Sequence, residues 1–181
     1  MALLRTRYRG RFREAFNAEP SIDLLARALA SYVRTIVAGG SAFDLRRLSE
    51  SAERGRALFE GKAGCVACHP GPLFTDEEFH NTGVEWRSGT LTDEGRARVT
   101  KADSDRGAFK TPTLREVSRT APYMHDGSLA TLEAVIDYYN DGAAKNPGLD
   151  TRLRPLGLSA AEKRDLIAFL RSLSGRIQEG L

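Results

Sequence analysis

Cys65-Val66-Ala67-Cys68-His69 is the stretch on which the reading of this chain turns. C-x-x-C-H is the attachment signature of c-type haem. Its spacing has a physical reason. Two cysteines three apart on one helical turn point the same way and reach the two vinyl groups of one porphyrin, forming two thioethers. The next residue, His69, swings its imidazole under the iron as proximal ligand. The chain has two cysteines in all, so both are consumed and neither needs a disulfide partner. Three other readings compete. A thioredoxin-like C-x-x-C follows a strand in a βαβ setting, which the pattern here lacks. A zinc site needs a further Cys or His pair, and His80 and His125 stand at unrelated spacing. A chance match is countered by the surroundings.

Those surroundings are helical. A helix is predicted over about 51–59, with Gly55 in its interior at a cost of about 1 kcal/mol relative to Ala, which a closely crossing second helix explains. The last helix opens on a capping box, Ser159 to Glu162, and turns Leu166, Phe169, Leu170 and Leu173 inward. Two helices crossing at a glycine with haem between them resemble class I cytochromes c. Elsewhere Ile22, Leu25, Ala26, Leu29, Tyr32, Val33 and Ile36 predict a helix over 21–38, capped by Ser21 and ended by Gly39-Gly40. Leu132, Val135, Ile136 and Tyr139 form one stripe of a helix over 129–140. Residues 60–72 are rich in Gly and Pro, and a short turn or helix follows Pro112. Residues 80–107 read as a long polar loop, and evidence for strands is poor throughout. The predicted fold is mainly α: a class I cytochrome c domain, 49–181, with an N-terminal helical arm, 1–48.

Length and composition agree. The chain has 181 residues, 41% hydrophobic and 28% charged, enough for one domain with an arm and a core that needs no staples. No stretch approaches the ~18 apolar residues of a membrane span, and the apolar content argues against disorder. The net charge is +3, with Arg5, Arg7, Arg9, Arg11 and Arg13 in the first thirteen residues. That run reads either as a basic arm for an acidic partner or as a solvated face offset by Glu14, Glu19 and Asp23. The second is preferred, and no nucleic-acid partner is assigned. The apolar segment after Met1 is too short for the core of a secretory leader.

Residues 54–83 (RGRALFEGKAGCVACHPGPLFTDEEFHNTG) and 107–142 (GAFKTPTLREVSRTAPYMHDGSLATLEAVIDYYNDG) resemble the second haem domain of the bacterial di-haem cytochrome c peroxidases. The methylamine-utilisation di-haem enzymes of the same superfamily match equally well. Residues 8–48, through ARALASYVRTIVAGGSAFD, resemble the segment preceding that domain. The resemblance implies one covalent haem c, an iron-based electron relay, a periplasmic location and a redox partner protein. It departs from the family in one respect. The family carries a second C-x-x-C-H in a first domain, and this chain has one such motif. That points to a missing first haem domain or a homo-dimer partner. A stand-alone mono-haem electron carrier and a truncated fragment remain alternatives, and whether the chain alone is an enzyme stays open.

Opposite His69, the residues available to the iron include Met124, Tyr139, Tyr123, His80 and His125. Met124 supplies a thioether after Pro122, as in ordinary class I cytochromes. The resemblance places the axial residue fourteen positions after the histidine of APYMHDG, which is Tyr139. Tyr139 also lies on the inward stripe and Tyr138 does not, so Tyr139 is favoured over Met124. A phenolate stabilises ferric iron and a thioether ferrous iron. The resemblance further implies main-chain calcium ligands at Thr120 and Pro122, with the remaining ligand in the first domain. Calcium needs six to eight oxygens, so the site here is expected to be incomplete. Arg115 and His125 are implied as contacts to the haem edge or propionates, and His80 is expected to pack locally in the FHNTG turn.

Overall fold

A computed structural model describes residues 1–179. In chain order its elements are α1 (Ala2–Arg7), α2 (Arg9–Phe16), α3 (Ile22–Val33), β1 (Val37–Gly39), α4 (Glu50–Glu60), β2 (Phe79–Asn81), β3 (Trp86–Arg87), β4 (Thr90–Leu91), α5 (Ala97–Thr100), β5 (Ala108–Lys110), α6 (Leu132–Asn140), α7 (Ala160–Arg171) and β6 (Arg176–Gln178). Short 3-10 turns lie at Cys65–Ala67, Asp103–Asp105 and Val117–Arg119. The chain is mainly helical, with three two-stranded sheets: β1 with β6, β2 with β5 and β3 with β4. Among the described residues two compact units are present, Met1–Ala38 with 176–179, and Gly39–Gly175.

In the first unit, Phe12 of α2 is buried and packs at a tilt against Phe16, while Arg9 and Arg13 pair with Glu19. Ser21 caps α3 by accepting from Leu24 N. The helix stops at Val33, short of the predicted Ala38. Val33, Thr35, Ile36 and Val37 are β-branched and lose side-chain freedom in a helix. Thr35 instead turns back, its N–H and hydroxyl both donating to Tyr32 O, and Val37 enters a strand. No residue of α3 is buried, although the helix is rich in Leu, Ile and Val. Ile22 is 73% exposed and Leu29 55%.

The second unit is built on one crossing. Ser49 caps α4 and the Ser159–Glu162 capping box opens α7. A methyl group added at Gly55 of α4 would lie 2.0 Å from Asp165 O and 2.8 Å from Phe169 Cβ. Glycine is therefore required, as the sequence predicts. Asp165 closes the crossing by accepting from Ser51 Oγ (2.5 Å) and Arg54 Nε (2.7 Å). Behind it Phe43 of the preceding loop meets Phe74 and Phe169 edge to face, Phe74 meets Phe59 and Phe169 the same way, and Phe59 lies tilted on Phe169. Leu166, Leu170, Leu173, Ile136 and Leu132 complete the core. Each such side chain contributes about 1.5–3 kcal/mol of burial.

Residues 80–107 are more ordered than a polar loop. β3 and β4 form a hairpin whose two turn residues, Ser88 and Gly89, both have φ near +50 to +82°. That is the backbone of a two-residue turn matched to strand twist. β2 pairs antiparallel with β5, setting His80 opposite Phe109. Strands of two or three residues leave no readable period. At the ends of this unit, a methyl group added at Gly175 would lie 2.3 Å from Gly39 O, so its first and last residues touch.

Candidate haem centre

The attachment motif folds as one tight turn. α4 is capped at Gly61, and Gly64, at φ = 63°, leads into the attachment turn. Residues 65–67 then form a 3-10 turn in which Cys68 N and His69 N both donate to Cys65 O, at 3.2 and 3.0 Å. This brings Cys65, Cys68 and His69 together on one turn. Both thiols are free and half-buried. Burial pushes Cys65 up to about 12 and raises Cys68 as well, although Arg152 pulls Cys68 the other way. Thiol–disulfide catalysts instead lower a cysteine to expose a thiolate, so this pair is built for a different chemistry.

His69 Nδ1 lies 2.7 Å from Phe74 O. A carbonyl only accepts, so Nδ1 carries the proton and Nε2 keeps its lone pair, the arrangement of a metal-binding imidazole. Burial lowers the pKa of the ring and holds it neutral. Phe74 presents that carbonyl from a left-handed conformation, φ = 52°, rare for a bulky residue. Nothing in the sequence marks Phe74 for this role.

Tyr139 lies on α6. Burial raises its phenol, and charge coupling to Tyr138 and to both Cys65 and Cys68 raises it further. Tyr138 is engaged elsewhere, its hydroxyl donating to Thr82 O (2.8 Å) and accepting from Ala144 N. Met124 sits at φ = 68° in the turn closed by the Tyr123–Leu129 bridge, half-buried. Thr120 and Pro122 lie exposed just before it.

The remaining expected residues have protein partners. Arg115 is 12% exposed, donates to Pro72 O (2.8 Å) and Asp44 (2.7 Å), and lies over the rings of Phe43 and Phe74. His125 stacks on Phe109 at 3.4 Å, with Nε2 2.6 Å from buried Glu85. His80 is held locally by Asp76 (2.9 Å) and also by distant Asp150 (2.9 Å). This places His80 beside Cys68, an approach that spacing along the chain does not show. Cys68 Sγ, an Asp76 oxygen and a His80 nitrogen lie within 4.8 Å of one another.

Residues 52–174 match the family model for cytochrome c. The chain belongs to the cytochrome c family. This cytochrome is 43% identical to the methylamine utilization protein MauG of Methylorubrum extorquens over 90% of the chain and 48% of that protein. It is 38% identical to the cytochrome-c peroxidase IdrP1 of Denitromonas iodatirespirans over 92% of the chain and 54% of that protein. The crystal structure of a MauG-like protein associated with microbial copper homeostasis superposes with a TM-score of 0.76 at 32% identity, covering 93% of this chain and 58% of that one. The di-haem peroxidase BthA of Burkholderia thailandensis shares the fold, with a TM-score of 0.74 at 21% identity over 96% of this chain and 57% of that one. Our chain thus sits among the di-haem peroxidase and MauG proteins and spans about half the length of the relatives it matches. As a cytochrome c it binds haem c covalently and works by haem electron transfer. The residues present fit that group. Two neutral free thiols stand on one turn, followed by an imidazole held at Nδ1 by a backbone carbonyl, and α6 carries a phenol that burial keeps protonated.

Proposed function

We propose that this chain is the electron-relay half of a two-haem oxidoreductase, carrying one haem c on Cys65 and Cys68, with His69 and Tyr139 as the axial pair. When bound, the haem supplies a one-electron couple. The protein's own groups do the rest. Phe74 O orients His69 and keeps its Nε2 unprotonated. Tyr139 offers a phenol, kept protonated by its buried position until a cation compensates the charge. Arg115 and His125 are proposed as contacts toward the haem edge or propionates. The observation that carries this reading is the single turn that brings Cys65, Cys68 and His69 together, with His69 Nδ1 held on Phe74 O. Met124, the alternative, sits in a separate loop.

The finer assignments follow from the relatives' length. The other haem domain is taken to be the partner, and the unburied apolar α3, with Ile22, Leu29, Tyr32 and Val33 exposed, offers a face for it. The setting is the bacterial periplasm, with electrons delivered by a redox protein. Thr120 and Pro122 carbonyls supply part of a calcium site that needs further oxygens, so calcium binding by this chain alone is weak.

The test is spectroscopic. A pyridine haemochrome assay should count one haem per chain. Tyr139→Phe should change the ferric spectrum while Met124→Ala leaves it unchanged, and the reverse result rejects the Tyr139 assignment. Robust peroxidase turnover by the isolated chain would refute the relay role.

A further inference from the structure

One chain of polar groups leaves the attachment turn at one carbonyl and returns to it at the next. Arg152 Nη1 donates to Ala67 O at 3.1 Å. The same guanidinium grips Asp150 with both arms, Nε to Oδ1 at 2.9 Å and Nη2 to Oδ2 at 2.7 Å, and Nη2 also lies 2.7 Å from His80 Nδ1. Asp150 Oδ2 faces His80 Nδ1 at 2.9 Å, and His80 Nε2 faces Asp76 Oδ2 at 2.9 Å. Asp76 N then donates to Cys68 O at 3.0 Å, closing the ring. The side chains of His80, Asp76 and Asp150 are only 12%, 16% and 15% exposed, so their charges act largely across protein rather than water. His80 is fixed from outside the ring by β2, whose pairing with β5 sets its backbone.

The network is also close to the reactive atom. Cys68 Sγ is within 4.8 Å of both the Asp76 carboxylate and the His80 ring, and the Arg152 guanidinium reaches the carbonyl of the residue just before Cys68. A charge that reaches this sulfur reaches the porphyrin to which the sulfur is joined. Groups around the ligands of a redox centre tune it through such fields.

We propose that the Asp76–His80–Asp150–Arg152 network sets the reduction potential of the haem, with His80 as the positioning residue that holds the two carboxylates and the guanidinium in place around the Cys65–His69 turn. The proposal rests on haem being attached at Cys65 and Cys68. Arg152 favours the reduced, less positive iron and raises the potential. Asp150 and Asp76 favour the oxidised iron and lower it. His80 keeps the opposing charges from collapsing onto one another or moving into solvent.

The test uses the full chain produced with haem c attached, with intact mass reporting haem on each variant and a spectroelectrochemical titration reporting its potential. Arg152→Gln should lower the potential, Asp150→Asn should raise it, and Arg152→Lys should stay near the wild type. His80→Leu should shift the potential and His80→Asn bring it part of the way back. Equal potentials in the wild type and both neutralised variants overturn the proposal. So do shifts of the same sign, which report a loosened turn rather than a charge. Variants that circular dichroism shows folded but that take up no haem also overturn it, leaving a brace without a tuning role. A wild-type chain that carries no haem by mass refutes the attachment assignment instead.

Discussion

His69 Nδ1 and Phe74 O are 2.7 Å apart, and Phe74 reaches that position with a backbone φ of 52°. The proximal imidazole is oriented by a residue that is itself a core anchor, with its ring among Phe43, Phe59 and Phe169. Packing of the domain and the aim of the ligand are thereby one problem. Phe74→Ala should cost about 3–5 kcal/mol and at the same time broaden or shift the haem absorption bands. Thermal unfolding and the ferric spectrum measured on one sample check both. A loss of stability with an unchanged spectrum separates the two roles.

Gly55 and Gly10 make a matched pair. Alanine at Gly55 would drive its methyl group to 2.0 Å from Asp165 O, backbone that cannot yield without separating α4 from α7. Overpacking of this kind costs about 1–3 kcal/mol or more. Gly10 in α2 has nothing within 4 Å of the added methyl, so Gly10→Ala should gain up to about 1 kcal/mol through helix propensity. Denaturant unfolding of both variants checks the contrast.

Stability should fall on the acid side. The Arg152 side chain, by its hydrogen bonds, holds Asp150 far below the ordinary carboxylate value of 3.8. A carboxyl depressed on folding adds stability that is fully present above its unfolded value. That contribution is lost as the pH drops from there toward the folded value. Asp150→Asn should cost about 1–3 kcal/mol at pH 7 and flatten the decline below about pH 4. Urea midpoints measured from pH 2.5 to 7 show the slope.

The unburied face of α3 should make the chain sticky. Leu29 and Val33 are 55% and 60% exposed on a helix with no buried residue. Leu29→Glu with Val33→Glu should reduce concentration-dependent association and dye binding to exposed apolar surface, with little change in unfolding temperature. Light scattering and denaturation read the two effects separately.

The helices and the attachment turn were legible because local chemistry dictates them. Ser159 and Glu162 cap α7 reciprocally, Gly55 announces its crossing, and C-x-x-C-H carries its own geometry. The overshoot of α3 beyond Val33 arose because the apolar period continued through residues whose branching favours a strand. The Asp150 and Arg152 partners of His80 were invisible, since they lie seventy or more residues away and meet it only through a fold assembled by other contacts. Phe74 was missed for a different reason. Its contribution is a backbone carbonyl, and no side-chain pattern encodes where a carbonyl points.

The touching of Gly39 and Gly175 gives the second unit a single doorway. Chain enters and leaves at one point, so everything between the two glycines is a loop closed upon itself. Such a unit can be lifted out, joined end to end and reopened elsewhere with little loss. A permutant opened at an exposed turn such as Ser88-Gly89 should still fold. The unit is portable in the geometric sense: inserted into a host chain, it should not pull the host's own ends apart.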